Sequence, residues 1–341
     1  MFSQKMGCLC ILFFIKLACL GQILFDESIV QNPLQQVASS FYPVLKKPIK
    51  SFIYLIDKDT ISKSYYSKAG NEETKFDYEK NKPLYKSTHK YVGNLKTETA
   101  FFINNVLAST TTYRYNKNNQ PIEWQRIKMV YDKKATVPQQ LTDVHWIIEY
   151  DSNKKVKKKF SVDASHQRNL VYEYFYDASK NLIETNQAQW KDTYDYQNDL
   201  LVKKTRIFKP NNSISASSEY QYNNTDLLIA SSDNYHTYEY SYNAAQLAKI
   251  TRQSKRDSAY QTITFQYADR LLSKAVIITT DVNLLPEFTF KTDYLYFAWD
   301  RREANMLDME FLYDKYQNII EIKYFIKGIY KYSKHFIYTY Y

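Results

Sequence analysis

The sequence predicts an all-β protein in which repeated antiparallel hairpins form one long curved sheet, with closure of that sheet left open. Three observations carry the prediction. The 341 residues include 34 tyrosines and 19 phenylalanines but only five glycines, and aromatic and β-branched residues suit a pleated, half-buried surface. Alternation has a period of two in Tyr172-Glu173-Tyr174-Phe175-Tyr176, Tyr238-Glu239-Tyr240-Ser241-Tyr242 and Ile263-Thr264-Phe265-Gln266-Tyr267, which places every second side chain on one face. A short motif also recurs: an apolar or aromatic residue, a spacer and a tyrosine, then a polar turn, then an aliphatic residue.

In chain order, the first element is an address. Lys5 supplies a positive n-region, Cys8 to Ile15 is apolar, and Cys19-Leu20-Gly21 is a small-x-small site before Gln22, so residues 1–21 read as a secretory signal peptide. The apolar run is interrupted at Lys16 and is shorter than the ~20 residues that a spanning helix needs. No transmembrane helix is expected in the mature chain. Lipid attachment at Cys19 is the weaker alternative, because Leu17-Ala18-Cys19 resembles a lipobox but Lys16 stands where an aliphatic residue is usual. All three cysteines lie in this segment, so the mature chain is expected to contain neither disulfides nor thiolate metal sites.

Residues 22–75 read as an N-terminal segment with a short helix over Pro33 to Phe41, which aligns Leu34, Val37, Ala38 and Phe41, followed by the first strands. Residues 76–341 read as the tyrosine-rich repeat domain. Its clearest motif copies are Tyr174-Phe175-Tyr176-Asp177 leading to Asn181-Leu182-Ile183, and Tyr220-Gln221-Tyr222-Asn223 leading to Asp226-Leu227-Leu228. Phe311, Tyr313 and Asp314 lead to Asn318-Ile319-Ile320. The second tyrosines at 150, 176, 196, 222, 242 and 267 are separated by 26, 20, 26, 20 and 25 residues, the length of one hairpin with its turns. The polar gap closes the hairpin, and Asn181, Asp226 and Asn318 are expected to occupy the left-handed turn position.

The copies Tyr176-Asp177...Asn181-Leu182 and Tyr313-Asp314...Asn318-Ile319 resemble the tyrosine-aspartate (YD) repeats of bacterial Rhs-type surface and secreted proteins, clearly from 148 to 322 and faintly from 76. The resemblance implies hairpins wound into a long curved sheet, in some members a hollow shell, and an exported protein that encloses a toxin or binds carbohydrate or protein. This chain departs from the pattern in lacking the turn glycine and a distinct toxin-like domain after the repeats.

No catalytic, cofactor-binding or metal site is expected. No glycine lies between Gly93 and Gly328, which removes phosphate-binding loops and dinucleotide fingerprints there. His89, His145, His166, His236 and His335 lack metal-ligand spacing. Asp177, Glu184, Asp192, Asp195 and Asp199 are ascribed mainly to turns. Removing Lys5 and Lys16 takes the formal charge from +10 to +8, and the lysine run from 154 to 159 reads as a solvated loop or edge strand. Trp124, Trp146, Trp190 and Trp299 read first as structural rings and second as surfaces for stacking sugars.

The expected function is a non-catalytic scaffold or binding protein, secreted or in the cell envelope, holding an extended polysaccharide or protein on its sheet, with no nucleotide or nucleic-acid partner and no cofactor. The alternatives are a secreted polysaccharide hydrolase with an unrecognised carboxylate pair, and an outer-membrane β-barrel. The signal sequence makes a direct prediction: N-terminal mass spectrometry of the exported protein should find a chain starting at or near Gln22, and retention of residues 1–21 would refute the assignment.

Overall fold

The structure, a computed structural model, describes residues 48–79, 81–131, 138–280 and 306–341. The helix expected over Pro33 to Phe41, the signal segment and Trp299 lie outside them. Twenty-two strands follow one another along the chain. They begin with β1 (Ile49–Ile56), β2 (Asp59–Tyr66), β3 (Glu72–Glu79), β4 (Lys82–Val92), β5 (Leu95–Ile103), β6 (Val106–Tyr115), β7 (Pro121–Val130) and β8 (Gln139–Tyr150). Next come β9 (Val156–Val162), β10 (Arg168–Tyr176), β11 (Leu182–Asn186), β12 (Trp190–Gln197), β13 (Leu200–Phe208), β14 (Ser213–Tyr222) and β15 (Leu228–Ser232). The last are β16 (His236–Asn243), β17 (Gln246–Ser254), β18 (Tyr260–Ala268), β19 (Leu271–Thr279), β20 (Met306–Tyr313), β21 (Ile319–Ile326) and β22 (Ile329–Tyr340).

Each strand pairs antiparallel with the next, and β22 pairs back onto β1 from Ile49 opposite Tyr340 to Ile56 opposite Lys334. The sheet therefore closes into an up-and-down barrel, leaving no free edge. A turn stitches the seam further: the Asp57 carboxylate accepts from the Ser333 amide at 2.9 Å, and the Asp57 amide donates to the Ser333 carbonyl at 2.8 Å.

Closure follows from a device repeated at one rim. In hairpin after hairpin the register slips by one residue beside the motif tyrosine: Phe175 faces Glu184 but Tyr176 faces Leu182, Gln221 faces Ala230 but Tyr222 faces Leu228, and Leu312 faces Glu321 but Tyr313 faces Ile319. The skipped residues Ile183, Ile229 and Ile320 are exposed, whereas Leu182, Leu228 and Ile319 are buried. This explains the paired aliphatics after each turn: one enters the core and one is the bulge. Bulges bend a strand and add right-handed twist, so their regular recurrence gives the wall a regular curvature.

The motif tyrosine also has a hydrogen-bonding role that composition did not reveal. Its hydroxyl donates to the first or second carbonyl of the preceding strand: Tyr91 to Glu72, Tyr115 to Lys96, Tyr150 to Pro121, Tyr176 to Val156 and Tyr196 to Leu182, at 2.7–3.0 Å. Tyr222 does the same to Leu201, Tyr242 to Leu228, Tyr267 to Leu247, Tyr313 to Leu272 and Tyr338 to Ile319, at 2.8–3.0 Å. Burial pushes the Tyr150, Tyr196 and Tyr313 hydroxyls up to about 12, so they stay protonated donors at neutral pH.

The five-residue turns at this rim correct the sequence frame by one residue. Asp177 caps its turn by accepting from the Asn181 amide at 2.8 Å, and the residue at positive φ is Lys180 (70°), not Asn181. In the last repeat it is Gln317 (65°), not Asn318, while Asp226 (60°) does hold that position. Asn181 instead uses its side-chain amide to bond Asp177 and, at 2.9 Å, Asp199 in the neighbouring turn. Glycine relieves the strain of a positive φ and a β-branched residue aggravates it. Lys180→Gly should therefore match or exceed the wild type in urea denaturation, and Lys180→Val should lose about 1–2 kcal/mol. Equal midpoints for the two variants would refute this turn assignment.

Candidate functional site

A sheet closed on itself offers two surfaces, and register with burial tells them apart. The motif tyrosines, the buried aliphatics and their cross-strand neighbours share one face. Along β18, Gln261, Ile263 and Phe265 are buried while Thr262 and Thr264 between them are half-exposed and Gln266 is exposed. No second layer exists among the described residues, so the buried face is the concave one that lines the lumen.

The outward face is polar at mid-strand. Lys158 pairs with Glu173 at 3.1 Å, Lys191 with Glu184 at 3.0 Å and Lys203 with Glu219 at 3.3 Å. Lys90 pairs with Glu98, and Glu123 takes both Arg114 and His145 at 2.8 Å. Exposed apolar side chains such as Ile103, Val106, Ile214 and Ile329 sit by the turns, whereas Ile337 is exposed within β22 opposite Ile53.

The lumen has two unlike arcs. About eight strands make a barrel that its own side chains just fill, so a round, empty ring of 22 would leave its inner side chains wet. Yet Ala275, Ile277, Leu307, Met309, Ile322 and Tyr332 are all 0% exposed. Together with Tyr54, Phe265, Phe311 and Phe336 they form one apolar cluster spanning β15 to β22 and β1. Tyr324 and Tyr332 stack within it at 4.5 Å and 4°.

The other arc, β7 to β13, has only a small buried apolar cluster of Leu182, Tyr194 and Leu201, and around it mixes partly exposed rings with charge. The Lys159 ammonium lies 4.3 Å from the Trp146 ring centre and 5.7 Å from that of Tyr172. Trp124 faces Trp146 across the β7–β8 pair. The Asp143 carboxylate takes the Arg126 Nε at 2.6 Å and the Lys128 ammonium at 2.5 Å. Burial alone would raise the Asp143 carboxyl, but hydrogen bonds from Lys128 and Arg126 outweigh it and hold the group below its ordinary value. Asp192 is buried and takes Arg206 as a fork, at 2.7 and 2.8 Å, with Lys204 at 3.9 Å. Lys204 also lies 5.3 Å from the Tyr194 ring centre, and Trp190 packs on Phe208 at 4.9 Å. The Trp124 Nε1 and the fully buried Thr185 Oγ1 have no hydrogen-bond partner among the described residues.

The residues singled out in the sequence are dispersed by the fold. The lysine run begins in a turn at Lys154 and continues into β9, which is paired on both sides by β8 and β10. It is therefore not an edge strand, and pleating sends Lys158 outward and Lys159 inward. Asp177 and Asp199 are turn residues, Glu184 faces outward, and Asp192 is a lumen residue whose partner lies 14 positions away. His89 is the one largely enclosed histidine in a polar cluster, with Nδ1 2.9 Å from the Thr99 hydroxyl and Nε2 3.5 Å from Glu72. His145 faces outward on Glu123, His166 occupies a turn at φ 60°, and His236 lies 3.6 Å from Asp233. No group of His, Cys, Asp and Glu among the described residues is arranged to hold a metal ion, and no described helix is long and apolar enough to cross a membrane.

The buried Asp192–Arg206 fork should be the most sensitive point of this arc, since removing one partner strands a charge. Arg206→Ala, which strands the enclosed Asp192 carboxylate, should cost about 3–5 kcal/mol in chemical denaturation, and Glu219→Ala, which breaks the exposed Lys203 pair, under about 1 kcal/mol. Similar costs would mean that Asp192 is not enclosed.

No protein-family model matches the chain, and no curated protein matches it. Solved structures are similar to it at low identity. The crystal structure of TcdB2-TccC3 without its hypervariable C-terminal region has a TM-score of 0.39 at 9% identity, covering 79% of this chain and 17% of that one. The Tc holotoxin pore of Photorhabdus luminescens has a TM-score of 0.36 at 8% identity, covering 78% and 19%. This chain thus spans about a fifth of those toxin chains. A porin-like protein from Bacteroides uniformis has a TM-score of 0.25 at 8% identity, covering 86% and 97%.

Proposed function

We propose that the protein is an exported, non-catalytic barrel of the cell envelope that holds an extended partner, polysaccharide or protein, against the inner wall of β7 to β13. The observation that carries this is the contrast between the arcs. One arc is sealed and apolar, and so structural. The other puts aromatic rings and cations on a partly exposed concave surface, a mixture that recognition sites use. The absence of turnover rests on the sequence, which lacks nucleophile, metal and phosphate motifs, and an envelope address rests on the signal peptide. Holding something inside a wound sheet also accords with the YD-repeat resemblance.

An outer-membrane barrel is the second reading, and a specific observation favours it: the ring closes completely, as a sheet in lipid must. The outward ion pairs favour a water-facing wall instead, because a lysine or arginine turned to lipid at mid-membrane costs about 2–4 kcal/mol. Fractionation separates the two. Release in aqueous buffer on osmotic shock, without detergent, is expected, and extraction only by detergent would establish the membrane barrel. A panel of polysaccharide hydrolase substrates, run with and without EDTA, should show binding without turnover. Turnover abolished by changing one or two carboxylates would make it an enzyme.

A further inference from the structure

Resting on that lumen assignment, we propose that the β7–β13 arc binds an acidic polysaccharide, one whose sugar rings carry carboxylates.

The first ground is a charge contrast between the two faces of the same strands. Outward, Lys158, Lys191 and Lys203 are each matched by one glutamate: Glu173, Glu184 and Glu219. Inward, the five cations Arg126, Lys128, Lys159, Lys204 and Arg206 meet only two carboxylates, Asp143 and Asp192. Each of those acids is already bound by two cations, so neither presents an unmatched negative charge to a ligand. A neutral sugar has no use for that cationic excess, whereas a carboxylated one is attracted by it.

The second ground is the pairing of charge with rings. The Lys159 ammonium lies over the rings of both Trp146 and Tyr172, 4.3 Å and 5.7 Å from their centres, which places a cation and aromatic area side by side on the inner wall. Rings and surplus cations along a continuous wall suit a chain of acidic sugars better than a small ligand held in one pocket.

The test is calorimetric titration of the mature full-length protein with a de-esterified galacturonan hexamer, its fully methyl-esterified form and a thymidine hexanucleotide. The acid form should bind at least about tenfold more tightly than the ester, and its affinity should fall as NaCl rises from about 0.05 to about 0.5 M. Lys159→Gln should weaken it about tenfold with an unchanged thermal midpoint, and Trp146→Leu should weaken it too. Lys158→Gln removes the same charge one residue away on the outward face and should leave affinity within about twofold. Should Trp146→Leu fail to fold, the Lys159 and Lys158 variants decide the matter alone. Equal binding of acid and ester, still lost in Lys159→Gln, overturns the acidic class while keeping the lumen site. Tighter binding of the oligonucleotide also overturns the class. No binding of either hexamer, or equal damage from Lys158→Gln and Lys159→Gln, overturns the lumen site itself.

Discussion

Repeat after repeat ends in a phenol that donates to a carbonyl at the start of the strand beside it, and the shape of the barrel depends on that contact. The tyrosine sits where the register slips, so the hydrogen bond and the bulge are set by one residue. A single such bond contributes only about 1 kcal/mol net. Repetition changes its meaning: ten phenols, from Tyr91 to Tyr338, fix the same bend at the same rim. Bends recur around the circumference, and β22 meets β1 to close it. At the five-residue turns after Tyr176, Tyr222 and Tyr313 no glycine is needed, because Asp or Asn caps brace the turn that holds the positive-φ residue.

The two faces divide the work. Outward pairs such as Lys203–Glu219 add little stability singly and make the convex surface polar. Inward, a sealed apolar arc and a mixed aromatic and ionic arc divide the circumference. The arc from β15 to β1 is dry and aromatic-aliphatic, with Ile277 and Tyr332 fully sealed. The arc from β7 to β13 keeps Lys159 and Arg206 within reach of water, and its ion pairs are backed by enclosed acids that hold the cations in position.

Much of the wall was legible in the sequence. Period-two alternation and recurring Tyr-x-Tyr hairpins give the strands, because side-chain direction in a strand follows directly from sequence parity. The turn frame was legible only to within one residue: Lys180 and Asn181 are adjacent, and Asn suits a left-handed position so well that it concealed the lysine that occupies it. The meaning of the second aliphatic, Ile183 or Ile320, depended on a register slip that only pairing reveals. The lumen site was least legible. Asp192 and Arg206 lie 14 positions apart on neighbouring strands, and Lys159 was hidden in a lysine run whose members the pleat sends to opposite faces.

The seam between β1 and β22 has a consequence for how the molecule is made. Every other described pairing joins strands that are consecutive in the chain, so hairpins can zip up one after another, mostly across short connections, the stretch between Thr279 and Met306 being the long exception. The seam alone joins Ile49 to Tyr340, across nearly the whole chain, and its entropy must be met before its contacts form. Until the last strand arrives, β1 and the growing end both expose unpaired backbone, the state in which sheets join their neighbours. A chain cut short before β22 would therefore be left as an open ribbon with two adhesive borders, so the ring's final strand protects all the others from aggregation.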